Sequence, residues 1–218
     1  MEYKIRTICN KRLSLQSLPS HYKVLILGPE YQQSVYVLLT LYKALLGSLE
    51  TEKQVLNKIQ KQEKYSQLKI SDNIEINIAG NEVFEGLRER SEKESVFSYY
   101  KKKFLIKRPS DRIEANLIGS QKITTLVIVL NGNRIQQDLL VYRSIVAEFK
   151  AKGIFYPHAI ITMPEYVIDK ENLVEEVSIE LGISRSCCHF ISVYTASCWQ
   201  NSIDTDLTSL TILTGILQ

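Results

Sequence analysis

The stretch Tyr22-Lys-Val-Leu-Ile-Leu27-Gly28-Pro29-Glu-Tyr-Gln-Gln33-Ser34-Val35 decides the fold of this chain of 218 residues. Its first six residues form an apolar run of strand length, and Gly28-Pro29 ends that run. Apolar residues then recur at helical spacing from about Ser34 to Leu46. A buried strand followed directly by a helix is typical of a parallel sheet that is covered by helices on both faces.

The same alternation continues toward the C-terminus. Further strands are predicted at 74–78, 125–130, 158–162 and 189–194, and further helices at 138–150, 171–181 and 206–217. Ile74, Ile76 and Ile78 alternate with polar residues, which predicts a strand near the sheet edge with one exposed face. The fully apolar 125–130 run is expected at the sheet centre, and the polar stretch 50–67 is expected to be an exposed helix or a long loop.

Length and composition favour one domain. A chain of 218 residues with 44% hydrophobic residues buries one sizeable core. We therefore expect a single α/β domain over 1–218, with its core at 22–217 and an irregular basic insertion at 80–120. No apolar run is long enough to span a membrane, and the charged N-terminus lacks the apolar stretch of a signal peptide. Four irregularly spaced cysteines without a CxxC pair indicate reduced thiols, so an intracellular location is expected.

The turn after the first strand lies where a phosphate-binding loop, G-x-x-x-x-G-K-[ST], would lie. Gly28 occupies the first position of that motif. Gln33, Ser34 and Val35 then fall on the second glycine, the lysine and the Mg²⁺-binding hydroxyl. A one-residue deletion places Ser34 on the hydroxyl, but the lysine position then falls on Gln33. Neither alignment supplies a cation for the phosphates, so an ordinary strand-to-helix turn is predicted, which retains at most a weak anion site at the helix N-terminus.

Several segments resemble the interferon-induced protein 44 and 44-like group of GTPase-like proteins. The similar segments are Lys23-Val-Leu-Ile-Leu-Gly-Pro29, Glu175–Gly182, Ile191-Ser-Val-Tyr-Thr-Ala-Ser-Cys-Trp199 and Asp204–Leu217. The resemblance covers about half of the chain. It implies a three-layer P-loop NTPase fold of the small-GTPase type, with a central, mostly parallel sheet of about six strands in the order 2-3-1-4-5-6. It also implies an association with antiviral or proliferation control in animals.

The resemblance places degenerate nucleotide-site positions along the chain. The family's Asp-Thr-x-Gly segment falls on Asn77-Ile78-Ala79-Gly80, where an amide replaces the Mg²⁺-positioning carboxylate. Its guanine-reading Thr-x-x-Asp segment falls on Thr162-Met163-Pro164-Glu165, and its last base-contacting loop begins at Ser192. The degenerate positions are Gly28, Gln33, Ser34, Asn77, Gly80, Thr162, Glu165 and Ser192. We therefore predict no metal site, no cofactor and no catalytic residue. GTP and Mg²⁺ enter only if the chain is a divergent GTPase.

Residues 88–112 form a basic segment inside the insertion. It holds nine basic and four acidic residues, a local charge of +5. Aromatic and basic side chains alternate in its candidate partner-binding residues, which are Tyr99, Tyr100, Lys101, Lys102, Lys103, Phe104, Lys107 and Arg108. A solvated surface, a single-stranded nucleic-acid site and a protein-docking site in the place of the GTPase switch segments are all consistent with this pattern.

The sequence favours a pseudo-GTPase that serves as a protein-interaction or scaffold module. One alternative is a divergent GTP-binding protein with weak or trans-assisted GTPase activity. Another is nucleic-acid binding through residues 88–112. His158 and His189 each open an apolar strand, so they are predicted to be structural rather than catalytic.

Overall fold

The computed structural model describes residues 2–16, 22–28, 30–46, 54, 56–57, 59–61, 65–71, 74–79, 123–154, 156–195 and 202–217. The described helices are α1 (Glu2–Gln16), α2 (Tyr31–Leu46), α3 (Ile135–Ala151), α4 (Lys170–Leu181) and α5 (Ile203–Ile216). The described strands are β1 (Tyr22–Leu27), β2 (Gln60–Lys61), β3 (Tyr65–Ser71), β4 (Ile74–Ala79), β5 (Thr125–Asn131), β6 (His158–Thr162) and β7 (Cys188–Ile191).

The seven strands form one sheet in the order β2-β3-β4-β1-β5-β6-β7. Strands β4, β1, β5, β6 and β7 are parallel, whereas β2 and β3 run antiparallel to their neighbours. Without the two-residue β2, the order is the 2-3-1-4-5-6 order of the GTPase-like P-loop fold. The predicted fold class is therefore confirmed.

Two apolar clusters lie on opposite faces of the sheet because successive strand side chains point to opposite sides. On one face, Val24 and Ile26 of β1 belong to the cluster that holds the buried residues of α1, α2 and α5. On the other face, Leu25 and Leu27 belong to the cluster formed with α3 and α4. The chain is therefore a three-layer helix–sheet–helix structure.

The strand and helix predictions at 22–27, 125–130 and 158–162 agree with the structure, and β5 is buried along its whole length between β1 and β6. Helix α2 begins at Tyr31 rather than Ser34, and α3 begins at Ile135 rather than 138. Strand β7 ends at Ile191, three residues earlier than predicted. Gly182 ends α4 with a φ of 60°, in the left-handed region that favours glycine.

Three expectations were wrong. Helix α1 was not predicted, because its sequence lacks a clear apolar stripe. It is instead attached to α5 by polar contacts, including Lys4 with Asp204. Within the stretch predicted as a helix or loop at 50–67, residues 60–61 and 65–67 belong to β2 and β3. Strand β4 does not lie at the sheet edge, since β3 and β2 lie outside it, and its polar Asn77 is 1% exposed.

Within the described ranges, no helix combines the length and the apolar character that crossing a bilayer requires. The predicted insertion at 80–120 and the basic segment at 88–112 lie outside the described residues.

Candidate functional site at the carboxyl edge of the sheet

Parallel strands end at a common edge, here called the carboxyl edge. Leu27 of β1 is in register with Ile128 of β5, and Thr162 of β6 is in register with both Asn131 of β5 and Ile191 of β7. Ligands of open α/β sheets bind outside this edge. The structure therefore brings the segments that follow β1, β4, β6 and β7 to one side of the molecule, as the sequence predicts.

The turn between β1 and α2 is short. Strand β1 ends at Leu27 and α2 begins at Tyr31, which leaves only residues 28–30 between them. The backbone N–H of Ser34 donates to the carbonyl of Glu30 at 3.3 Å, the first helical bond of α2. Gln33 and Ser34 would lie in the loop of a phosphate-binding motif, but here they are helical. The amide of Ser34 is thus already used within the helix and is not free to bind an anion.

Ser34 also fills the space beside Gly28. A Cβ atom placed on Gly28 would lie 2.1 Å from the Ser34 hydroxyl oxygen, so only glycine fits against this side chain. Ser34 is 0% exposed, and its hydroxyl donates to the Glu30 carbonyl at 3.5 Å. Next to it, the Gln33 side chain is buried, and its amide oxygen accepts no hydrogen bond from any described group. The volume that a bound phosphate would need is occupied by the protein's own side chains.

Arg134 brings a cation to this turn from the end of β5. Its Nη1 lies 2.8 Å from Glu30 Oε1, and its Nε lies 3.4 Å from Asp138 Oδ1. Asp138 is buried in the first turn of α3, where its other oxygen accepts the Asn131 N–H at 2.8 Å. Burial raises the pKa of Asp138 to about 6, although the Asn131 bond and Arg134 both lower it. Sequence reasoning missed Arg134, because nothing in its local sequence links it to Glu30.

The polar residues of β4 are bonded within the sheet. The Asn77 side-chain N–H donates to Glu75 Oε1 at 2.8 Å, and Lys23 Nζ of β1 lies 3.0 Å from the same oxygen. Burial acts to raise the pKa of Glu75, but the bonds from Asn77 and Lys23 outweigh it and the pKa is lowered. Asn77 therefore stabilises a carboxylate of its own strand. Gly80, the other predicted position here, lies outside the described residues.

The segment after β6 carries two predicted positions in different surroundings. The Thr162 hydroxyl is buried and donates to the Leu130 carbonyl at 3.2 Å, so it serves the sheet rather than the edge. Met163 follows with a φ of 54°, a left-handed conformation that is uncommon for a residue with a side chain. Glu165 lies in the short 3-10 turn Pro164–Tyr166 and is exposed.

Gly132 allows the end of β5 to approach this segment closely. Its N–H donates to the Thr162 carbonyl at 3.0 Å. A Cβ atom on Gly132 would lie 2.8 Å from the carbonyl oxygens of both Thr162 and Met163. Backbone contacts of this kind fix the position of the loop that would read a base.

Large apolar side chains project from the same loop into solvent. Met163 and Tyr166 are exposed, and Ile168 is fully exposed. Single exposed apolar residues are common on protein surfaces, but three within six residues form a local apolar surface, here called the 163–168 loop surface.

The segment after β7 separates in the same way. Ser192 is exposed, whereas Tyr194 is buried against α2 and α5. The Tyr194 hydroxyl donates to Asp206 Oδ1 at 2.9 Å, and Lys43 Nζ lies 3.8 Å from the centre of the tyrosine ring. Tyr194 thus joins helices to the sheet and is not free to contact a base.

No described residues form a metal-binding group of three or more His, Cys, Asp or Glu side chains. Cys187 and Cys188 are free thiols. All eight candidate partner-binding residues, from Tyr99 to Arg108, lie outside the part of the chain that the structure describes.

Comparisons with known proteins agree in fold only. No family model and no curated protein matches the chain. Among solved structures, the crystal structure of a probable GTP-binding protein, engB, aligns with 78% of this chain and 88% of that chain, at 9% identity and a TM-score of 0.38. The fold assignment rests on the strand order and the layer arrangement described above, and not on this likeness.

Proposed function

We propose that this GTPase-like domain is a pseudo-GTPase, a module that binds a protein partner and does not hydrolyse GTP. The short turn between β1 and α2 is the observation that carries the proposal. A phosphate-binding loop surrounds its ligand with backbone N–H groups and a lysine. Here the equivalent residues continue α2, and the cation at the turn, Arg134, is paired with Glu30 and Asp138.

The energetic consequence is large. Phosphoryl transfer is catalysed almost entirely by charge stabilisation and positioning, and one such interaction typically contributes about 10²-fold or more in rate. The lysine position holds the buried Ser34, the Mg²⁺-hydroxyl position holds the buried Val35, and the carboxylate position holds Asn77, bonded to Glu75. Three simultaneous losses on that scale remove hydrolysis.

The family proposal rests on the sequence. The segments at 23–29, 175–182 and 191–199 resemble the interferon-induced protein 44 and 44-like group, and the strand order is the one that this resemblance implies. We propose that the chain is a degenerate relative of that group, with residues 1–218 acting as one GTPase-like unit.

Two surfaces support protein binding. The basic segment at 88–112 carries a local charge of +5, which favours an acidic partner and speeds association. The 163–168 loop surface exposes Met163, Tyr166 and Ile168 at the carboxyl edge, where apolar anchors are suited to a partner contact. A partner that contacts both would use the edge that GTPases use for nucleotide and effector recognition.

A thermal-shift experiment tests the loss of nucleotide binding. The purified protein is heated with Mg²⁺ and either GTP or GDP, with a GTPase of known affinity as the positive control. A ligand present at about 100 times its Kd stabilises a folded protein by about 2.7 kcal/mol. We expect no shift for this chain at millimolar nucleotide, and a clear Mg²⁺-dependent shift supports the divergent GTPase instead.

Partner binding is tested with matched isoleucine variants. Ile168 and Ile179 are both exposed, but Ile179 lies on α4, away from the 163–168 loop surface. We expect Ile168→Ser and a triple alanine variant of Lys101, Lys102 and Lys103 to lose a co-purifying protein that wild type and Ile179→Ser retain. Binding of single-stranded RNA that weakens steeply with salt and disappears in the lysine variant supports the nucleic-acid alternative.

A further inference from the structure

A cavity of about 530 Å³ lies at the end of the sheet opposite to the candidate site. Tyr22, Thr125 and His158 are the first residues of β1, β5 and β6, and Cys187 directly precedes β7. All four residues line the cavity, as does Gly215 near the end of α5. Because the starts of parallel strands share one edge, the cavity is built into the fold rather than formed by one loop.

The size and opening of the cavity suit a small molecule. Ligand pockets in proteins typically measure about 300–1,000 Å³. Two walls are aromatic, the partly buried Tyr22 and the exposed Tyr156, while Thr124 at the entrance is also exposed. Aromatic walls at an accessible entrance favour a flat ligand that stacks on a ring.

The described lining residues carry no formal charge at neutral pH. They are tyrosine, threonine, serine, cysteine, glycine and isoleucine side chains together with His158. Burial, and to a smaller extent the neighbouring His189, lowers the pKa of His158 to about 4, so its imidazole is neutral. A charged ligand would lose its hydration here without gaining a counter-charge from these residues.

The hydrogen-bonding groups are mainly acceptors. His158 Nδ1 lies 3.1 Å from His189 Nε2, which leaves Nε2 of His158 as the ring nitrogen for a ligand. The last turn of α5 contributes Gly215 and Ile216, and the last carbonyls of a helix have no intrahelical partner. No basic residue occupies that last turn. A ligand N–H would meet these acceptors directly.

We propose that this cavity binds a small, uncharged, flat ring compound that carries an N–H donor. The ring stacks on Tyr22 or Tyr156, and the N–H donates to His158 or to a carbonyl at the end of α5. The site is separate from the carboxyl edge and is independent of nucleotide or partner binding there.

Indole and indole-3-acetate are a matched pair of probes, because they share the ring and differ by a carboxylate. Binding of each to the intact protein is measured by ligand-observed NMR and by the rate at which iodoacetamide alkylates Cys187, read by peptide mass spectrometry. Burial raises the pKa of Cys188 to about 11, so that thiol reacts slowly at about pH 8 and does not mask its neighbour. At ten times its Kd, indole is expected to slow Cys187 alkylation about elevenfold. Indole-3-acetate at the same concentration is expected to leave it unchanged. Absence of indole binding, or equal protection by both probes, overturns the proposal.

Gly215→Leu tests the location. A Cβ on Gly215 meets only ordinary contact, with His158 Cε1 at 3.5 Å, so the larger side chain is directed to the cavity lining without a backbone clash. We expect this variant to lose indole binding, whereas Ser144→Leu, on the exposed surface of α3, retains it. Tyr156→Ala, an exposed change that leaves folding intact, is expected to weaken binding about twofold to tenfold. Indole affinity that is unchanged in Tyr156→Ala and in folded Gly215→Leu contradicts the assignment.

Discussion

The carboxylate of Glu30 lies 2.8 Å from the guanidinium of Arg134, so an ion pair joins the turn after β1 to the start of α3. Arg134 also faces Asp138, whose side chain is 4% exposed, whereas that of Glu30 is 47% exposed. The two carboxylates therefore depend on the same cation to different degrees. The buried one has more to lose when the cation is removed, because it cannot turn to water.

Arg134→Met is expected to lower the free energy of unfolding by about 1–3 kcal/mol, because Asp138 then keeps only the Asn131 N–H as a partner. Glu30→Gln is expected to cost about 0–1 kcal/mol, as exposed pairs do. Urea denaturation measures both. The control is Arg143→Met, which breaks an exposed pair with Glu180 at 3.3 Å. A cost for Arg134→Met no greater than that for Arg143→Met contradicts the prediction.

The raised pKa of Asp138 predicts a pH dependence of stability. The folded protein holds a proton on Asp138 up to about pH 6, whereas the unfolded chain releases it near the ordinary value of 3.8. Between these values the folded state binds more protons, so the contribution of Asp138 to stability falls as pH rises. We expect wild type to lose stability relative to Asp138→Asn across this window, as measured by urea denaturation at several pH values. A difference that is constant or that grows with pH shows that the carboxyl is ionised throughout.

His158 is predicted to have the opposite dependence. Burial lowers its pKa from 6.5 to about 4, so on acidification the unfolded chain takes up a proton before the folded protein does. The stability that the neutral ring contributes is present above pH 6.5 and is lost as pH falls toward about 4. Relative to His158→Gln, wild type should weaken over that range. An NMR titration of the His158 ring supplies the direct check, and an ordinary midpoint near 6.5 excludes the effect.

Two glycines provide a matched test of backbone contact. Gly132→Ala places a Cβ 2.8 Å from two carbonyl oxygens, so the β5 and β6 ends must separate, and we expect a cost of about 1–3 kcal/mol. Gly215→Ala adds a methyl in ordinary contact within α5, and the gain in helix propensity is expected to stabilise the protein by about 0.5–1 kcal/mol. Thermal or urea denaturation of the two variants should therefore give shifts of opposite sign, and a loss of similar size in both disproves the steric explanation.

The sequence predicted the sheet where burial is complete. The runs at 22–27, 125–130 and 158–162 are apolar on both faces, so their pattern needs no information from distant residues. Helix α1 and the β2–β3 hairpin were missed because they are polar. Their contacts come from distant parts of the chain, such as Arg12 with Asp206 for α1 and the pairing of β3 with β4 for the hairpin.

The candidate site was predicted in position but not in detail. The order of strands places Gly28, Thr162 and Ser192 at one edge, and the missing lysine is readable from the motif itself. The early start of α2 was not, because Tyr31 and Gln32 add a first turn that carries no apolar repeat. The pairing of His158 with His189 depends on the register of β6 with β7, which the sequence of either strand alone does not determine.

The three-residue connection after β1 limits how this protein could be converted into a nucleotide hydrolase. A lysine at position 34 would replace a hydroxyl packed against Gly28, and its ammonium would begin inside the molecule rather than over a ligand. Regaining a triphosphate cradle therefore calls for inserted residues that unwind the start of α2, and no exchange of single amino acids supplies them. Chain length at this one junction, more than the identity of any side chain, separates the domain from an enzyme.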